Sequence, residues 1–328
     1  MKIVIPGGSG QVGTLLTRGL VLAGHEVVVL SRRPKTGTVR MVRWDGRTLA
    51  EWASEIDGAD AVINLAGRSV NCRYHPRNRR EIVDSRVEST RVLGQAIASC
   101  ARPPSVWLQA STATIYAHRY DAANDERTGI LGGAEQDAPG TWRFSIDVAR
   151  AWERELEGAS TPGTRKVLLR SAMTMSPDRG GVFCAFFGLV RWGLGGRAGD
   201  GRQYVSWVHE RDFVRAALWL INREDISGPV NIAAPTPLPN RDFMQAIRQA
   251  WGIQFGLPAA KWMLEIASFS YRTETELLLK SRRVVPGRLT EGGFEFEFPV
   301  WPEAARDLCA QWRDANRSDR RRAPVGRC

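Results

Sequence analysis

The feature that most constrains the fold is a glycine-rich segment directly after the first apolar run. Residues 3–5 read Ile-Val-Ile, and the pattern GxxGxxG follows with Gly7, Gly10 and Gly13. Residues 12–23 then repeat apolar side chains at helical spacing. A glycine loop between a strand and a helix lets a pyrophosphate approach the backbone and the helix N-terminus. The predicted contacts are Gly7, Gly8, Ser9, Gly10, Gln11, Val12 and Gly13.

The rest of the first half alternates short β-branched runs with amphipathic stretches. Further strands are predicted at 26–30, 41–44, 61–64, 106–110 and 166–170, after a first strand at 2–5. Helices are predicted at 12–23, 80–100 and 145–158. Such alternation is typical of a parallel sheet that helices cover on both faces. We therefore predict an α/β fold: a Rossmann-like doubly wound parallel sheet with a smaller C-terminal α+β substrate lobe.

The second half is less regular. A helix at 210–221 and a strand at 229–232 resume the earlier rhythm, and five glycines within 193–201 indicate a mobile loop near a cleft. A helix at 241–251, another near 275–280 and the alternating phenylalanines of 294–298 indicate a separate lobe. The predicted domains are a nucleotide-binding domain at 1–175, to which 202–233 returns, a substrate lobe at 176–201 and 234–312, and a disordered basic tail at 313–328.

Composition excludes several classes of protein. The chain has 328 residues, 43% of them hydrophobic, which is typical of a folded globular protein. It has no uninterrupted apolar run long enough for a membrane helix or a signal peptide, so a cytoplasmic location is expected. The five cysteines are widely spaced, which indicates reduced thiols rather than disulfides or a metal site. The net charge of +11 is dispersed and accompanies no nucleic-acid recognition motif, so no specific nucleic-acid partner is expected.

The end of the second predicted strand indicates which dinucleotide is bound. An NAD site typically has an acidic residue there, which bonds the ribose 2′-hydroxyl. This chain has Ser31, Arg32 and Arg33 instead. Guanidinium groups bind a phosphate through charge-assisted hydrogen bonds, and a serine hydroxyl adds a donor. NADP is therefore predicted in preference to NAD.

Several ordered motifs resemble one superfamily. They are residues 60–67 (DAVINLAG), 110–116 (ASTATIY), 85–87 (SRV), 152–153 (WE), 201–203 (GRQ), 206–209 (SWVH) and 284–286 (VVP). Together with the glycine loop they resemble the extended short-chain dehydrogenases/reductases, and within them an atypical branch of NAD(P)-dependent sugar-nucleotide epimerase family proteins. The resemblance spans roughly residues 1–312. It implies further cofactor contacts from Leu65, Ala66, Gly67 and Arg86.

In that superfamily a Tyr-x-x-x-Lys pair exchanges a proton with the substrate oxygen, and a Ser or Thr hydrogen-bonds the same oxygen. Thr112, with Ser111 beside it, matches the hydroxyl position. The positions of the pair fall near Ser145 and Ala149, and no lysine lies between residues 35 and 166. The usual catalytic pair is therefore missing.

Three other groups are alternative proton donors: Tyr116, which we favour, His118 and His209. Each has a structural alternative, because Tyr116 can pack beneath the nicotinamide, His118 can lie in an exposed loop and His209 can fix the helix that follows it. Arg202 and Gln203 follow the glycine-rich loop and, together with Trp207, are predicted to contact the substrate. If they face the cleft, the substrate is anionic.

The sequence therefore predicts an NADP(H)-binding oxidoreductase or epimerase-like enzyme that acts on a small molecule, as a monomer or homodimer. The alternative is an NADP-binding sensor or scaffold protein that has lost the chemistry of the pair. Turnover of NADPH with a carbonyl compound would separate the two.

Overall fold

The computed structural model describes residues 1–135, 140–259 and 280–322. The strands, numbered in chain order, are β1 (Lys2–Pro6), β2 (Glu26–Ser31), β3 (Arg40–Arg43), β4 (Ala61–Asn64), β5 (Val106–Thr112), β6 (Arg165–Ser171), β7 (Met173–Met175), β8 (Tyr204–Val205), β9 (Trp207–His209), β10 (Gly228–Ile232) and β11 (Leu238–Pro239). The helices are α1 (Gln11–Leu22), α2 (Pro76–Ala98), α3 (Gly140–Gly158), α4 (Val182–Arg191), α5 (Glu210–Asn222), α6 (Asn240–Trp251), α7 (Gly287–Glu291) and α8 (Trp301–Arg322). Short 3-10 helices lie at Glu51–Glu55 and Ala113–Ile115.

Seven strands form the central sheet in the order β10, β6, β5, β4, β1, β2, β3. Every neighbouring pair in this sheet is parallel. The chain runs outward from β1 to β3 and then crosses back to β4 on the other side of β1. This reversal opens a crevice at the carboxyl ends of β1 and β4, where ligands bind in doubly wound folds. The predicted fold class is confirmed.

Side chains alternate along each central strand and so supply two cores. In β1, Ile3 and Ile5 pack with Leu16 of α1 and Phe213 of α5. Val4 points to the opposite face and packs with Leu93 of α2. Both faces of the sheet are therefore covered by helices, which explains why its strands read as continuous apolar runs.

A third core lies beside the sheet domain. Helices α4, α6 and α8 supply Phe187, Phe243 and Trp301 to this cluster, and Trp207 of β9 joins them. Two small sheets, β7 with β9 and β8 with β11, border it. None of the helices in the described part of the chain is long and apolar enough to cross a membrane.

Two segments of the C-terminal part have a structure that their local sequence pattern does not show. The alternating segment 294–298 is not a strand, because the backbone N–H groups of Glu297 and Phe298 donate to the buried carboxylate of Asp212 at 2.8 and 2.9 Å instead of to a neighbouring strand. The tail predicted to be disordered from residue 313 continues α8 as far as Arg322. Arg313 lies over the ring of Trp251, with its Cζ 4.2 Å from the ring centroid, and so fixes the helix to α6. The helix predicted near 275–280 lies almost entirely outside the described residues.

Candidate functional site

The glycine loop after β1 is held by two close backbone approaches. Gly7 has a φ of +76°, and a Cβ there would lie 2.7 Å from the Cα of Ala66 in the loop after β4. A Cβ on Gly13 would lie 2.4 Å from the Cα of Gly8. A side chain at Gly7 would collide with the loop after β4, and one at Gly13 would collide with the backbone of Gly8. These glycines thus shape the loop.

Gly10 differs from the other two glycines. Its φ is −76°, and a Cβ there would meet only the carbonyl oxygen of Gly7, at 3.6 Å. It immediately precedes α1, whose first turn has no side-chain cap and no acidic residue. The first N–H groups of α1 and the positive end of its dipole thus remain available to an anion. Gly10 leaves open the space that a pyrophosphate would fill.

A cleft of about 660 Å³ lies over this loop. Gly7, Ser9 and Gly10 line its floor, and Leu65, Ala66 and Gly67 form a second side. Among the other predicted pyrophosphate contacts, Gly8 and Gly13 are buried. The side chain of Gln11 lies against Gly181, and Val12 packs on the core. The glycine loop, the open helix end and the volume together fit a dinucleotide.

The far end of the cleft carries the residues predicted to select the cofactor. Ser31 is buried and donates its hydroxyl to Ser9 Oγ at 3.0 Å, while Arg33 N donates to Ser31 Oγ at 3.2 Å. Arg32 lines the cleft, whereas Arg33 is exposed and does not. The placement of Arg32 suits an anion at the ribose end.

Sequence reasoning missed one wall of this cleft. Arg47, which follows β3, pairs with Glu88 of α2, with 2.6 Å between Nε and Oε2. No motif marks these residues, because they meet only when β3 and α2 fold over the same crevice. The missed lining residues are Trp44, Asp45, Gly46, Arg47, Arg68, Glu81, Ser85, Glu88 and Ser89.

A second pocket, of about 250 Å³, contains Thr112 in its wall. Ser145 and Ala149, the positions at which the superfamily would have its Tyr and Lys, line the same pocket. Thr112 Oγ1 accepts a hydrogen bond from the Thr114 N–H at 3.1 Å. No group among the described residues accepts from the Thr112 hydroxyl, so its proton is available to a ligand.

Arg86 lies between the two cavities. It lines the pocket, and its Cζ would be 3.2 Å from a Cβ added to Gly67, which lines the cleft. Its Nη1 donates to the carbonyl oxygens of Arg68 and Ile82, and its guanidinium lies over Trp152, 4.9 Å from the ring centroid. Burial lowers the pKa of Arg86 to about 10, so the group stays charged at neutral pH.

Sequence reasoning also missed Tyr74, a phenol in the wall of this pocket. It precedes α2 in a loop without a recognisable motif, and its ring meets Phe144 edge-on, with 5.0 Å between the centroids. Arg86 lines the same pocket. The pocket thus has a tyrosine from the loop before α2 and a cation from α2, whereas the superfamily has its Tyr and Lys on the helix that corresponds to α3.

Ser111 and Tyr116 lie in a buried network and not in the wall of the cleft. Glu153 accepts from Ser111 Oγ at 2.5 Å and forms a bidentate ion pair with Arg170, at 2.9 and 2.7 Å. Arg170 also donates to the Tyr116 hydroxyl at 3.0 Å, and this hydroxyl donates to Asn231 Oδ1 at 2.9 Å. Burial raises the pKa of Tyr116. Ser111 lines the small pocket as well, whereas Tyr116 does not.

The two histidines predicted as alternative donors are also engaged. His209 is fully buried at the N-cap of α5, where Nδ1 accepts from Arg211 N at 3.1 Å and Nε2 lies 3.0 Å from Asp307 Oδ2. His118 Nδ1 accepts from Ser281 N at 2.8 Å. Burial lowers the pKa of both rings, that of His209 to about 4. Neither ring lines the cleft or the small pocket.

The three residues predicted to contact the substrate lie apart from both cavities. Trp207 is fully buried, and its ring packs on Trp301 at 4.9 Å between centroids. Gln203 is buried and donates to the carbonyl oxygen of Ala198 at 3.0 Å. Arg202 lies at an exposed turn, where its N–H donates to Asp200 at 3.0 Å. Their predicted role stays a prediction without geometric support from the described residues.

Comparison with known proteins gives consistent results. The NAD dependent epimerase/dehydratase family matches residues 3–131, and a domain of unknown function (DUF1731) matches residues 259–308. The human epimerase family protein SDR39U1 is 31% identical over 316 residues, which cover 94% of this chain and 100% of the human protein.

Solved structures agree with these matches. The crystal structure of human SDR39U1 (isoform 2) with NADPH has a TM-score of 0.82 at 27% identity, and the match covers 94% of this chain and 99% of the human one. A nucleoside-diphosphate sugar epimerase from Corynebacterium glutamicum has a TM-score of 0.72 at 28% identity, and the match covers 97% of this chain and 61% of that one.

The buried state of His209 predicts a pH dependence of stability. Its pKa is about 4 in the folded chain and about 6.5 when unfolded, so the unfolded chain takes up the proton first as pH falls. This residue should therefore lower the free energy of unfolding by about 2 kcal/mol between pH 7 and pH 5. Urea unfolding at both pH values measures it, and His209→Asn, which retains a helix cap, should show a smaller decrease. Equal decreases in the two proteins would contradict this assignment.

The surroundings of Gly10 and Gly7 predict that one substitution abolishes dinucleotide binding without unfolding the protein, whereas the other lowers its stability. Gly10→Val should abolish binding of a nicotinamide dinucleotide, since the side chain enters the pyrophosphate space. It should change the Tm by no more than about 2 °C, because it meets no other part of the protein closely. Gly7→Ala is the contrasting variant and should lower the Tm clearly. Calorimetric titration measures binding of the dinucleotide, and thermal melting measures the Tm of both variants. Retained binding by Gly10→Val would place the dinucleotide elsewhere.

Proposed function

The chain belongs to the epimerase family of NAD(P)-binding extended short-chain dehydrogenases/reductases, and on that premise we propose that it is an NADP(H)-dependent oxidoreductase or epimerase-like enzyme acting on a small molecule. The observation that carries the proposal is the contact between Gly67 of the dinucleotide cleft and Arg86 of the small pocket. A nicotinamide at the inner end of the cleft would face the pocket that contains Thr112. Cofactor and substrate thus have adjoining sites.

NADPH would supply the hydride, and the residues of the pocket would handle the substrate oxygen. The hydroxyl of Thr112 is the proposed hydrogen-bond donor to this oxygen, because its own oxygen already accepts from the Thr114 N–H. Tyr74 is the proposed source of the proton, since it lines the same pocket and Arg86 favours its phenolate form. Tyr116 is less suited, because both Arg170 and Asn231 engage its hydroxyl in the core.

NADP is the proposed cofactor in preference to NAD. Arg32 lines the ribose end of the cleft, and Ser31 occupies the position that is acidic in NAD sites. Arg47 lines the same cleft, where it pairs with Glu88, so Arg32 carries the choice. The human relative whose crystal structure contains NADPH supports this choice by analogy.

A sensor or scaffold function is the second candidate. It is favoured by the absence of a lysine from the described residues that line the small pocket, because the superfamily uses that lysine to activate its tyrosine. A chain that binds NADPH but turns over no carbonyl compound would fit this alternative.

The first test concerns cofactor preference. NADPH should bind at least about tenfold more tightly than NADH, as expected for one charge-assisted contact. Arg32→Ala should erase this preference and leave NADH affinity unchanged. Arg33→Ala is the matched control, because Arg33 does not line the cleft, and it should retain the preference. Calorimetric titration of both nucleotides measures the ratio, and equal affinities in the unmodified protein would refute the proposed choice.

The second test concerns the substrate oxygen. Thr112→Val should lower NADPH oxidation, followed at 340 nm with a panel of carbonyl compounds, by at least about tenfold, since one hydrogen bond to the reacting oxygen is lost. Ala149→Ser is the control and should change the rate little, because Ala149 occupies the position of a lysine that this chain lacks. Tyr74→Phe should lower the rate by about 10²-fold or more if Tyr74 supplies the proton. A rate unchanged in both Thr112→Val and Tyr74→Phe would refute the proposed roles.

A further inference from the structure

The small pocket has the guanidinium of Arg86 in its wall and no carboxylate among its described lining residues. Arg282 also lines the pocket and donates its Nε to Thr114 Oγ1 at 3.3 Å. The buried carboxylate of Glu153, which accepts from the lining residue Ser111, is paired with Arg170. A guanidinium that faces a partly dehydrated cavity without a carboxylate attracts an anion from outside the protein.

Part of the Arg86 guanidinium has no hydrogen-bond acceptor among the described residues. Its Nη1 donates to two main-chain carbonyl oxygens, whereas Nε and Nη2 have no acceptor among the described residues. Since the Nη1 bonds already hold the side chain in place, the guanidinium reaches the pocket in a fixed orientation. A fixed planar fork with free N–H groups matches the two oxygens of a carboxylate.

The remaining walls are apolar. Three rings, those of Tyr74, Phe144 and Trp152, line the pocket, and aliphatic side chains complete it: Val70, Ile82, Val148 and Ala149. Such walls favour a ligand with an apolar or aromatic body over a free phosphate, which would be surrounded by hydrocarbon. The hydroxyls of Thr112 and Thr114 supply polar contacts at a second point.

We propose that this pocket binds a small organic acid with an apolar or aromatic body, and that Arg86 pairs with its carboxylate. The volume of about 250 Å³ is less than half of the 660 Å³ of the dinucleotide cleft, which suits a compact acid and not a second nucleotide. This inference rests on the proposed function, because it specifies the class of substrate for the same pocket.

Benzoate and benzamide provide the test, since they share size and shape and differ in charge. Calorimetric titration of the full chain should give a Kd for benzoate at least tenfold lower than that for benzamide. Arg86→Gln should abolish this difference while leaving benzamide affinity unchanged. Arg91→Gln, an exposed site on α2, is the matched control and should retain it. Equal affinities of the unmodified protein for the two probes would overturn the proposal.

Thermal melting would show whether Arg86→Gln folds. If it does not fold, two further variants test the same proposal. Arg86→Lys keeps the charge and should retain part of the benzoate preference, and Arg282→Gln should reduce it. A preference that is unchanged in every folded variant of Arg86 and Arg282 would overturn the assignment. Inorganic phosphate that binds more tightly than benzoate at this site would overturn the class of ligand.

The same samples separate this inference from the proposed function. Each protein is also titrated with NADPH. An Arg86-dependent benzoate preference without NADPH binding would support the acid pocket and refute the dinucleotide site. NADPH binding without a benzoate preference would leave the proposed function standing and overturn the acid pocket.

Discussion

The closeness of two loops determines where this protein can bind ligands. A Cβ at Gly7 would lie 2.7 Å from Ala66, so the loops after β1 and β4 touch through their backbones. These strands are neighbours in the sheet although they are not consecutive in the chain. The reversal of strand order opens the crevice, and the missing side chain lets the dinucleotide cleft lie directly on the backbone. The position of the dinucleotide cleft follows from this arrangement.

Most of the sheet domain was predictable because its signals are local. β-branched runs and glycine punctuation gave β4 its observed bounds, and the other central strands differ by one or two residues at their ends. The segment 294–298 alternates as a strand does, yet its N–H groups bond to Asp212, which lies 85 residues earlier in the chain. Such a distant acceptor leaves no trace in a local pattern. The basic composition of the last residues likewise gives no sign that α8 runs past Arg313, where the side chain packs on Trp251 of α6.

The site was predictable only in part. Thr112 shares a pocket with Ser145 and Ala149, as the order of motifs implies. Tyr116 is near Thr112 in sequence, but the turn between them directs its hydroxyl to Arg170 and Asn231 in the core. Tyr74 lies far from the motif and yet reaches the pocket. Proximity to Thr112 in the sequence therefore does not determine which side chains line the pocket, because the direction of a side chain is fixed by tertiary packing.

The position of Gly67 between the two cavities has a thermodynamic consequence. A Cβ there would lie 3.2 Å from Arg86 Cζ. At this point the backbone of Gly67 and the guanidinium of Arg86 separate the cleft from the pocket. If a ligand in one cavity displaces Gly67 or Arg86, it changes the free energy of binding in the other cavity. This coupling is reciprocal by necessity: whatever factor the dinucleotide imposes on the affinity for the second ligand, that ligand imposes on the dinucleotide.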